Sequence, residues 1–459
     1  MNAAADERRA VTADELDELA LLVTVRVDEQ ARRAHSRDAS RAVPTGLPAA
    51  VVEPSSAAEV AAVLRWAAGL RVPLSVRGAG TGLSGGAVAY PGGVVISTSR
   101  LTQLDIDAAN MTATVGAGVV TADLDAAAAR FGLMYAPDPV SAEWSTVGGN
   151  IATNAGGPRC LAHGVTADVV TALEVVLVDG RIVRTGSATR KNSTGYDLTS
   201  LFVGSEGTLG VVTEAVVRLH QRPPTDALVF AAAFPDVRDA GRAIVDILAR
   251  CSIPESLELM DAHTLRSVAE HFPDEDVPQG AACVVVGEYV GPHATDAASA
   301  LLDVCRRHAA EPMTGARAAN LLRTRRRVNP ALSAAGLAAS CDVAVPVSRL
   351  ADILVEIELL SRSFGMRVNT FAHAGDGNLH PAVVVPDGDP AALERAEELL
   401  DAITHAALAL GGVISGEHGI GSLKRHHLDA QLGAATRALQ QQIKDTLDPL
   451  GILTPGRAV

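Results

Sequence analysis

Two short stretches of the 459-residue chain carry side chains able to hold a divalent metal beside a proton acceptor. In NTFAHAGDGNLHPAVVVP, apolar strand-like runs flank the punctuation AGDGN, a hairpin-like arrangement that sets His373 and His380 across from each other. Paired imidazoles suit a divalent transition metal. In GGVISGEHGIGSLKRHH, Glu417 and His418 stand between glycines, where an irregular backbone lets adjacent side chains enter one site. Taken alone, either histidine pair is equally open to a surface or a core reading. His426 and His427, flanked by Lys424 and Arg425, read as a solvated helix end.

A second kind of chemistry is offered by backbone. RGAGTGLSGG, Arg77 to Gly86, satisfies G-x-G-x-x-G at Gly80, Gly82 and Gly85. That fingerprint works in a nicotinamide site only when the glycines end a strand and open a helix whose N-terminus meets the pyrophosphate. Upstream, VPLSVRG reads as a buried strand. Downstream, Tyr90-Pro91-Gly92-Gly93 and a β-branched run are turn and strand chemistry, so no helix is expected. Successive N–H groups in a tight loop still form an anion-binding nest. A loop-bound diphosphate outside a Rossmann fold is therefore expected. PDPVSAEWSTVGGNIATNAGGPRCLAHG adds Gly148-Gly149, Asn150, Asn154 and Gly156-Gly157, and NSTGYDLTSLFVGSEGTLGVVTEAVVRL adds a third glycine-rich segment. Glycine is costly in backbone entropy, and three such segments exceed what turns alone require.

The elements that must position these groups are legible in outline. At about 150 residues per domain the length allows two or three domains. After an acidic N-terminal helix, PAAVVEPSSAAEVAAVLRWAAGLRVPLSVRG reads strand, helix, strand, with Ser56 and Glu59 spaced as a capping box and Gly69 as the stop. QLDIDAANMTATVGAGV reads as two strands around an Ala-Asn turn, and ALEVVLVDGRIVRTG as a hairpin tipped by Asp179-Gly180. Composition shifts at RPPTD, Arg222 to Asp226. Beyond it DALVFAAAF and AACVVVGEYVG each precede a helical stretch, which suggests a duplicated α+β unit in a second domain. QQIKDTLDPLGILTPGR reads as a helix and a Pro/Gly tail able to fold back onto the first domain.

A net charge of -14 without a basic run argues against nucleic acid and anionic membrane as obligatory partners. No stretch approaches the roughly 18 consecutive apolar residues of a membrane span. Acids near the N-terminus are unlike a secretion signal, so a cytoplasmic location is expected. The five cysteines, an odd set lacking C-x-x-C spacing, point to neither a disulfide framework nor an iron-sulfur cluster and read as core filler.

The three glycine-rich segments, in this order and spacing, resemble the flavin-binding domain of the vanillyl-alcohol-oxidase superfamily, specifically its branch of glycolate oxidase and D-lactate dehydrogenase flavoproteins. The resemblance spans roughly residues 44 to 459. It implies an α+β protein: an N-terminal helical segment (1–43), a two-part FAD-binding domain of p-cresol-methylhydroxylase type (44–222), a substrate and metal domain with an antiparallel sheet (223–425), and a helix and tail (426–459) returning to the FAD domain. FAD, rather than NAD, is the implied cofactor. Its diphosphate would be wrapped by Arg77, Gly78, Ala79, Gly80, Thr81, Gly82, Gly85 and Gly86. Pro137, Asp138, Ser145, Gly148, Gly149, Asn154, Gly157, Glu206, Gly207, Gly210 and Val212 match positions along the isoalloxazine and ribityl chain. Relatives with covalent flavin often carry a histidine just after the first-loop glycines; Thr81 stands here, which implies dissociable FAD.

HAGDGNLHP and SGEHGIG align with the family's metal motif, so the resemblance implies His373, His380 and Glu417 as ligands of a divalent ion, zinc or manganese, with Asn378 and His418 facing substrate. It further implies that Arg325, in LLRTRRRVNPALSAAG, clamps the substrate carboxylate, while Arg323, Arg326 and Arg327 read as a solvated face. The implied reaction is oxidation of a 2-hydroxy acid to the 2-oxo acid. The metal chelates substrate, His418 acts as base, and the α-hydrogen leaves as hydride to flavin N5; a carbanion route is the alternative. Without cysteine motifs, electrons need an external carrier: a quinone, a cytochrome, an electron-transfer flavoprotein or an iron-sulfur subunit. A homodimer is compatible with this reading. Relatives resembling D-2-hydroxyglutarate dehydrogenases have a lysine where Ser340 stands and a hydroxyl residue where Asn329 stands, which favours a monocarboxylic D-2-hydroxy acid, lactate or glycolate, over a dicarboxylate. The competing readings are that dicarboxylate dehydrogenase, a flavin-dependent transferase and an electron-relaying subunit of a glycolate oxidase complex.

Overall fold

The computed structural model describes residues 11–223 and 227–459. The opening of the expected N-terminal helix and Pro224 to Asp226 of the composition break lie outside the described residues. The chain forms two compact units. The first comprises residues up to Gly156, Gly164–Arg222 and Glu417–Val459; the second comprises Gly157–His163 and Pro223–Gly416. Two stretches thus depart from the expected segmentation. Residues 157–163 pack in the second unit, where Leu161 lies against Gly375 and His163 Nε2 is 2.9 Å from Glu255. Residues 417–425 pack in the first.

In the first unit the expected strand, helix and strand are Ala50–Val52, Ala57–Leu70 and Leu74–Arg77. The two strands do not pair: Val94–Ser97 inserts between them, parallel to both. Ser56 caps the helix by accepting from Glu59 N at 3.2 Å, but the Glu59 carboxylate accepts from Ser55 N at 2.8 Å, so the reciprocal half of the box is displaced by one residue. Gly69 does not stop the helix. The chain reverses at Arg71, in the left-handed region at φ 56°, because buried Val72 returns its N–H to Ala67 O at 3.0 Å. The N-terminal segment holds two short helices, Ala13–Ala20 and Glu29–Ala34, joined through strand Val25–Arg26. A separate antiparallel sheet orders Leu104–Asp107, Thr112–Gly116, Val211–Arg218, Val170–Val176 and Ile182–Gly186. Both expected hairpins are in it.

The helix Leu428–Leu447 leads into a tail that does return to this unit. Leu74 N donates to Ile452 O at 2.8 Å and Thr454 N to Leu74 O at 2.9 Å, which lays residues 452–454 parallel to the strand that precedes the first glycine loop. Lys444 secures the turn from inside, donating to Thr208 O and Leu453 O at 2.7 and 2.9 Å and pairing with buried Asp448.

The second unit is built on an eight-stranded antiparallel sheet in which seven strands run in the order Glu311–Thr314, Leu228–Phe234, Cys283–Tyr289, Ser256–Asp261, Val368–His373, Asn378–Val385, Leu337–Ser340, and the eighth, Val343–Ala344, also pairs with Asn378–Val385. Two strand–helix–strand units interleave in its first four strands, the arrangement of a ferredoxin-like fold. One face packs against helices Val237–Arg250, Ala294–Arg307, Leu350–Phe364 and Pro390–Ala409, the other against Ala262–His271 and Gly315–Ala335. Strand Ser256–Asp261 shows the division: Leu257 and Leu259 enter the first core, Met260 the second, and Glu258 shares the Met260 face. Cys283 and Cys305 are buried in the core and half-buried Cys251 and Cys341 pack against it, as expected of core filler; half-buried Cys160 lies outside it. No described helix is long and apolar enough to cross a membrane.

Candidate active site

The first glycine loop follows its strand without forming a helix, as the Tyr-Pro-Gly-Gly chemistry predicts. Arg77 folds back on its own loop. Its buried guanidinium donates to Arg37 O and Ala79 O and lies directly behind Gly80, where a Cβ would fall 2.1 Å from Nη2. Gly80 adopts φ +77°, a conformation open to glycine at no steric cost. The side chain braces the loop from behind, and among the described residues the N–H groups of residues 78–82 donate to no protein acceptor. Such a run of unsatisfied donors fits the diphosphate of FAD.

The other two glycine-rich segments close on the same loop. Gly148 and Gly149 belong to the short helix Val147–Thr153, capped by Thr146. A Cβ on Gly148 would fall 2.5 Å from Ala117 Cβ, and one on Gly78 2.4 Å from Thr146 Oγ1; both positions bring backbone elements into direct contact. Gly207 packs on Val76. Ser145 is buried, with its hydroxyl 3.1 Å from Thr121 Oγ1, which in turn accepts from Asn150 Nδ2 at 2.7 Å. Pro137 is buried and Asp138 half-buried after strand Leu133–Met134; Asn154 ends the glycine helix at φ 52°. Gly210 and Val212 flank the start of strand Val211–Arg218, and Gly157 lies in the other unit.

Glu206 makes a contact that sequence reading did not supply. Its carboxylate accepts from Ile420 N at 2.7 Å and Gly421 N at 2.8 Å, fastening the segment that carries Glu417 and His418. Burial pushes its carboxyl up, while these two N–H groups, Lys424 and Arg457 pull it down. From the first loop, Ser84 Oγ lies 3.0 Å from the carbonyls of both His418 and Gly419. The backbone of residues 418–421 is thus held by the first and third glycine-rich segments, with His418 Nε2 3.8 Å from Glu417 Oε1. His427 corrects the expectation of a solvated end: His426 is exposed, but His427 is buried where the chain enters helix Leu428–Leu447.

In the second unit the hairpin forms, with a register that refines the expectation. His373 pairs with Asn378 and His380 with Phe371, so the two histidines are diagonal neighbours on one face rather than directly opposed. Their rings lie 5.2 Å apart, edge to face, and both are buried. Asn378 Oδ1 is buried without a hydrogen-bond partner among the described residues. Gly416 packs on that amide, a Cβ there falling 2.4 Å from Asn378 Oδ1; Glu417 is the next residue along the chain. Asp342, buried beside His380 at 3.9 Å, accepts from Ser415 Oγ at 2.8 Å. Arg323, Arg326 and Arg327 are exposed as expected, and Arg325 is buried.

Sequence reading missed Glu258. Its Oε1 is 2.7 Å from His373 Nδ1, and its Oε2 accepts from Arg325 Nε at 2.8 Å. Burial raises this carboxyl, and the charges of His373 and Arg325 outweigh it, leaving it below the usual carboxylate range. The available signal was a lone acid between Leu257 and Leu259.

Comparison with known proteins agrees with this geometry. Residues 48–186 match a family described as FAD binding domain, and residues 223–458 match FAD linked oxidases, C-terminal domain. The chain is 38% identical over 419 residues to the glycolate oxidase subunit GlcD of Bacillus subtilis, covering 90% of this chain and 89% of that protein. It is 39% identical over 412 residues to a D-lactate dehydrogenase of Archaeoglobus fulgidus, covering 89% and 91%. A D-2-hydroxyglutarate dehydrogenase of Xanthomonas citri pv. viticola is 36% identical, with 89% of each chain covered. Among solved structures, p-cresol methylhydroxylase superposes with a TM-score of 0.79 at 15% identity, covering 98% of this chain and 97% of that one; at this identity the likeness speaks for the fold alone. The chain belongs to the FAD-linked oxidase family and is an FAD-linked oxidoreductase of the group that includes these glycolate oxidase subunits and D-lactate and D-2-hydroxyglutarate dehydrogenases.

Proposed function

We propose that the protein oxidises a short D-2-hydroxy acid, lactate or glycolate, to the 2-oxo acid, using non-covalent FAD and a zinc or manganese ion held by His373, His380 and Glu417. The observation that carries this reading is one face of the second-unit sheet. It brings together two buried imidazoles, the Asn378 oxygen that has no hydrogen-bond partner among the described residues and, through a shared carboxylate, Arg325. Two histidines and a carboxylate suit either ion and leave positions for a chelating substrate.

When bound, FAD supplies the two-electron acceptor and the metal supplies the Lewis acidity that lowers the pKa of the α-hydroxyl. Arg325 holds the substrate carboxylate, and Asn378 faces the reacting carbon. His418 would take the hydroxyl proton on a ring nitrogen, and the α-hydrogen's electron pair would be what a bound flavin accepts. Re-oxidation then calls for an external carrier: a quinone, a cytochrome, an electron-transfer flavoprotein or an iron-sulfur subunit.

The substrate assignment rests on Ser340. It pairs with Ala382, two residues along from His380, and so sits on the face of the sheet that carries the imidazoles. A lysine there would meet a distal carboxylate with a point charge; a serine offers none. kcat/KM measured side by side for D-lactate, glycolate and D-2-hydroxyglutarate, on metal-replete and FAD-loaded protein, is expected to favour the monocarboxylates. A clear preference for the dicarboxylate would support the second reading, to which the Xanthomonas relative lends weight. Because Thr81 stands after the loop glycines, denaturing the yellow protein is expected to release all of its flavin into the supernatant. Flavin fluorescence remaining on the polypeptide in a denaturing gel would refute the non-covalent assignment.

A further inference from the structure

We infer that Glu258 is a positioning residue that aligns the metal-binding imidazole of His373 with the carboxylate-binding guanidinium of Arg325, making one buried carboxylate the common reference for both ends of the substrate. The inference rests on the function proposed above and assigns a residue that function left without a role.

The geometry supports it from three directions. Glu258 and His373 are direct partners across antiparallel strands, so their separation is set by sheet register and not by side-chain sampling. An ionised carboxylate only accepts hydrogen bonds, so the 2.7 Å contact to Oε1 requires the His373 proton to be on Nδ1. That leaves Nε2, with its lone pair, as the ligand atom, the carboxylate–histidine–metal relation in which the outer carboxylate fixes both tautomer and ring orientation. The second oxygen takes Arg325 Nε at 2.8 Å, the only hydrogen bond of that guanidinium among the described residues. With Nε committed, the two Nη groups form the edge left for a bidentate carboxylate. Phe371 fixes the plane: its ring lies 4.8 Å from the guanidinium carbon and 5.3 Å from the His380 ring.

Glutamine at this position has nearly the same shape and tests the idea sharply. Its side chain offers one acceptor and one donor to two groups that both donate. Either Arg325 loses its anchor, or His373 moves its proton onto Nε2, the atom required for the metal. Wild type and Glu258→Gln would be titrated with Zn2+ and with Mn2+ against a chromophoric chelator in the absence of substrate, and KM and kcat for D-lactate measured on each. The expected result for E258Q is metal affinity weakened by about 10- to 100-fold together with a raised KM that saturating metal does not restore, at unchanged FAD content. Metal affinity within twofold of wild type and an unchanged KM would overturn the inference. Should E258Q fail to fold, Glu258→Asp keeps the charge but is one methylene shorter and reaches one partner at most; it must then show a defect in metal affinity or in KM, and wild-type values for both would overturn the inference equally. Wild-type protein that binds neither ion would defeat the proposed function itself, and the role of Glu258 with it, which separates the two failures.

Discussion

Replacing His373, His380 or Glu417 by alanine is expected to strip the metal and abolish turnover while FAD stays bound at the wild-type ratio. The two histidines sit on strands of the second unit, and the donors suited to the FAD diphosphate sit in the first, so the losses should separate. For Glu417 the separation follows from how its segment is fastened: the hydrogen bonds to Ser84 and Glu206 are made by the backbone of residues 418–421 and survive loss of the Glu417 side chain. Lewis-acid assistance contributes several kcal/mol to the barrier, and each 1.36 kcal/mol is tenfold in rate, so a fall in kcat of ~10³-fold or more is expected. Elemental analysis of each purified variant, alongside its flavin absorbance and kcat, checks this. Turnover that survives exhaustive chelation of the wild type would remove the metal from the reaction.

His418→Ala is expected to lower kcat by ~10²- to 10⁴-fold, the range for loss of a general base, with a smaller change in KM. The variant is informative because the backbone of His418 is held independently of its ring, by Ser84 at its own carbonyl and by Glu206 two residues on. Loss of the imidazole therefore should not release the segment. Near-normal turnover would reduce His418 to a neighbour of Glu417. The discriminating comparison is metal content, which His418→Ala should retain and Glu417→Ala should lose.

What could be read from the sequence depended on whether the signal was local. The His373–His380 hairpin was legible because glycines at 375 and 377 punctuate two apolar runs; the diagonal register was not, since it depends on where the strands start to pair. Fold-back of the tail was foreseen in kind, while its pairing with Leu74 joins residues hundreds apart. Gly69 misled because an exposed helical glycine looks like a stop, whereas the reversal is driven by burial of Val72 beyond it. The contact of Glu206 was not legible, because its carboxylate meets backbone 214 residues away. Glu258 is the largest omission. Its partner His373 is 115 residues distant, and an acid in SLELMD has no local pattern that separates a buried bridge from an outward-facing strand position.

The lodging of residues 452–457 in the first unit bears on how the protein is made. Strand Leu74–Arg77 gains its neighbour at Leu453, and Arg457 donates to Gly85 O and to Val88 O inside the first glycine loop. At a synthesis rate of ~5–20 residues per second, the loop emerges from the ribosome tens of seconds before the segment that braces it. The whole second unit is translated in between. During that interval the strand presents a bare edge, the kind of surface that invites mispairing with other chains. Completion of the first loop's bracing therefore awaits residues 452–457, and a fragment cut after Arg222 would lack the backbone and the arginine that supply it.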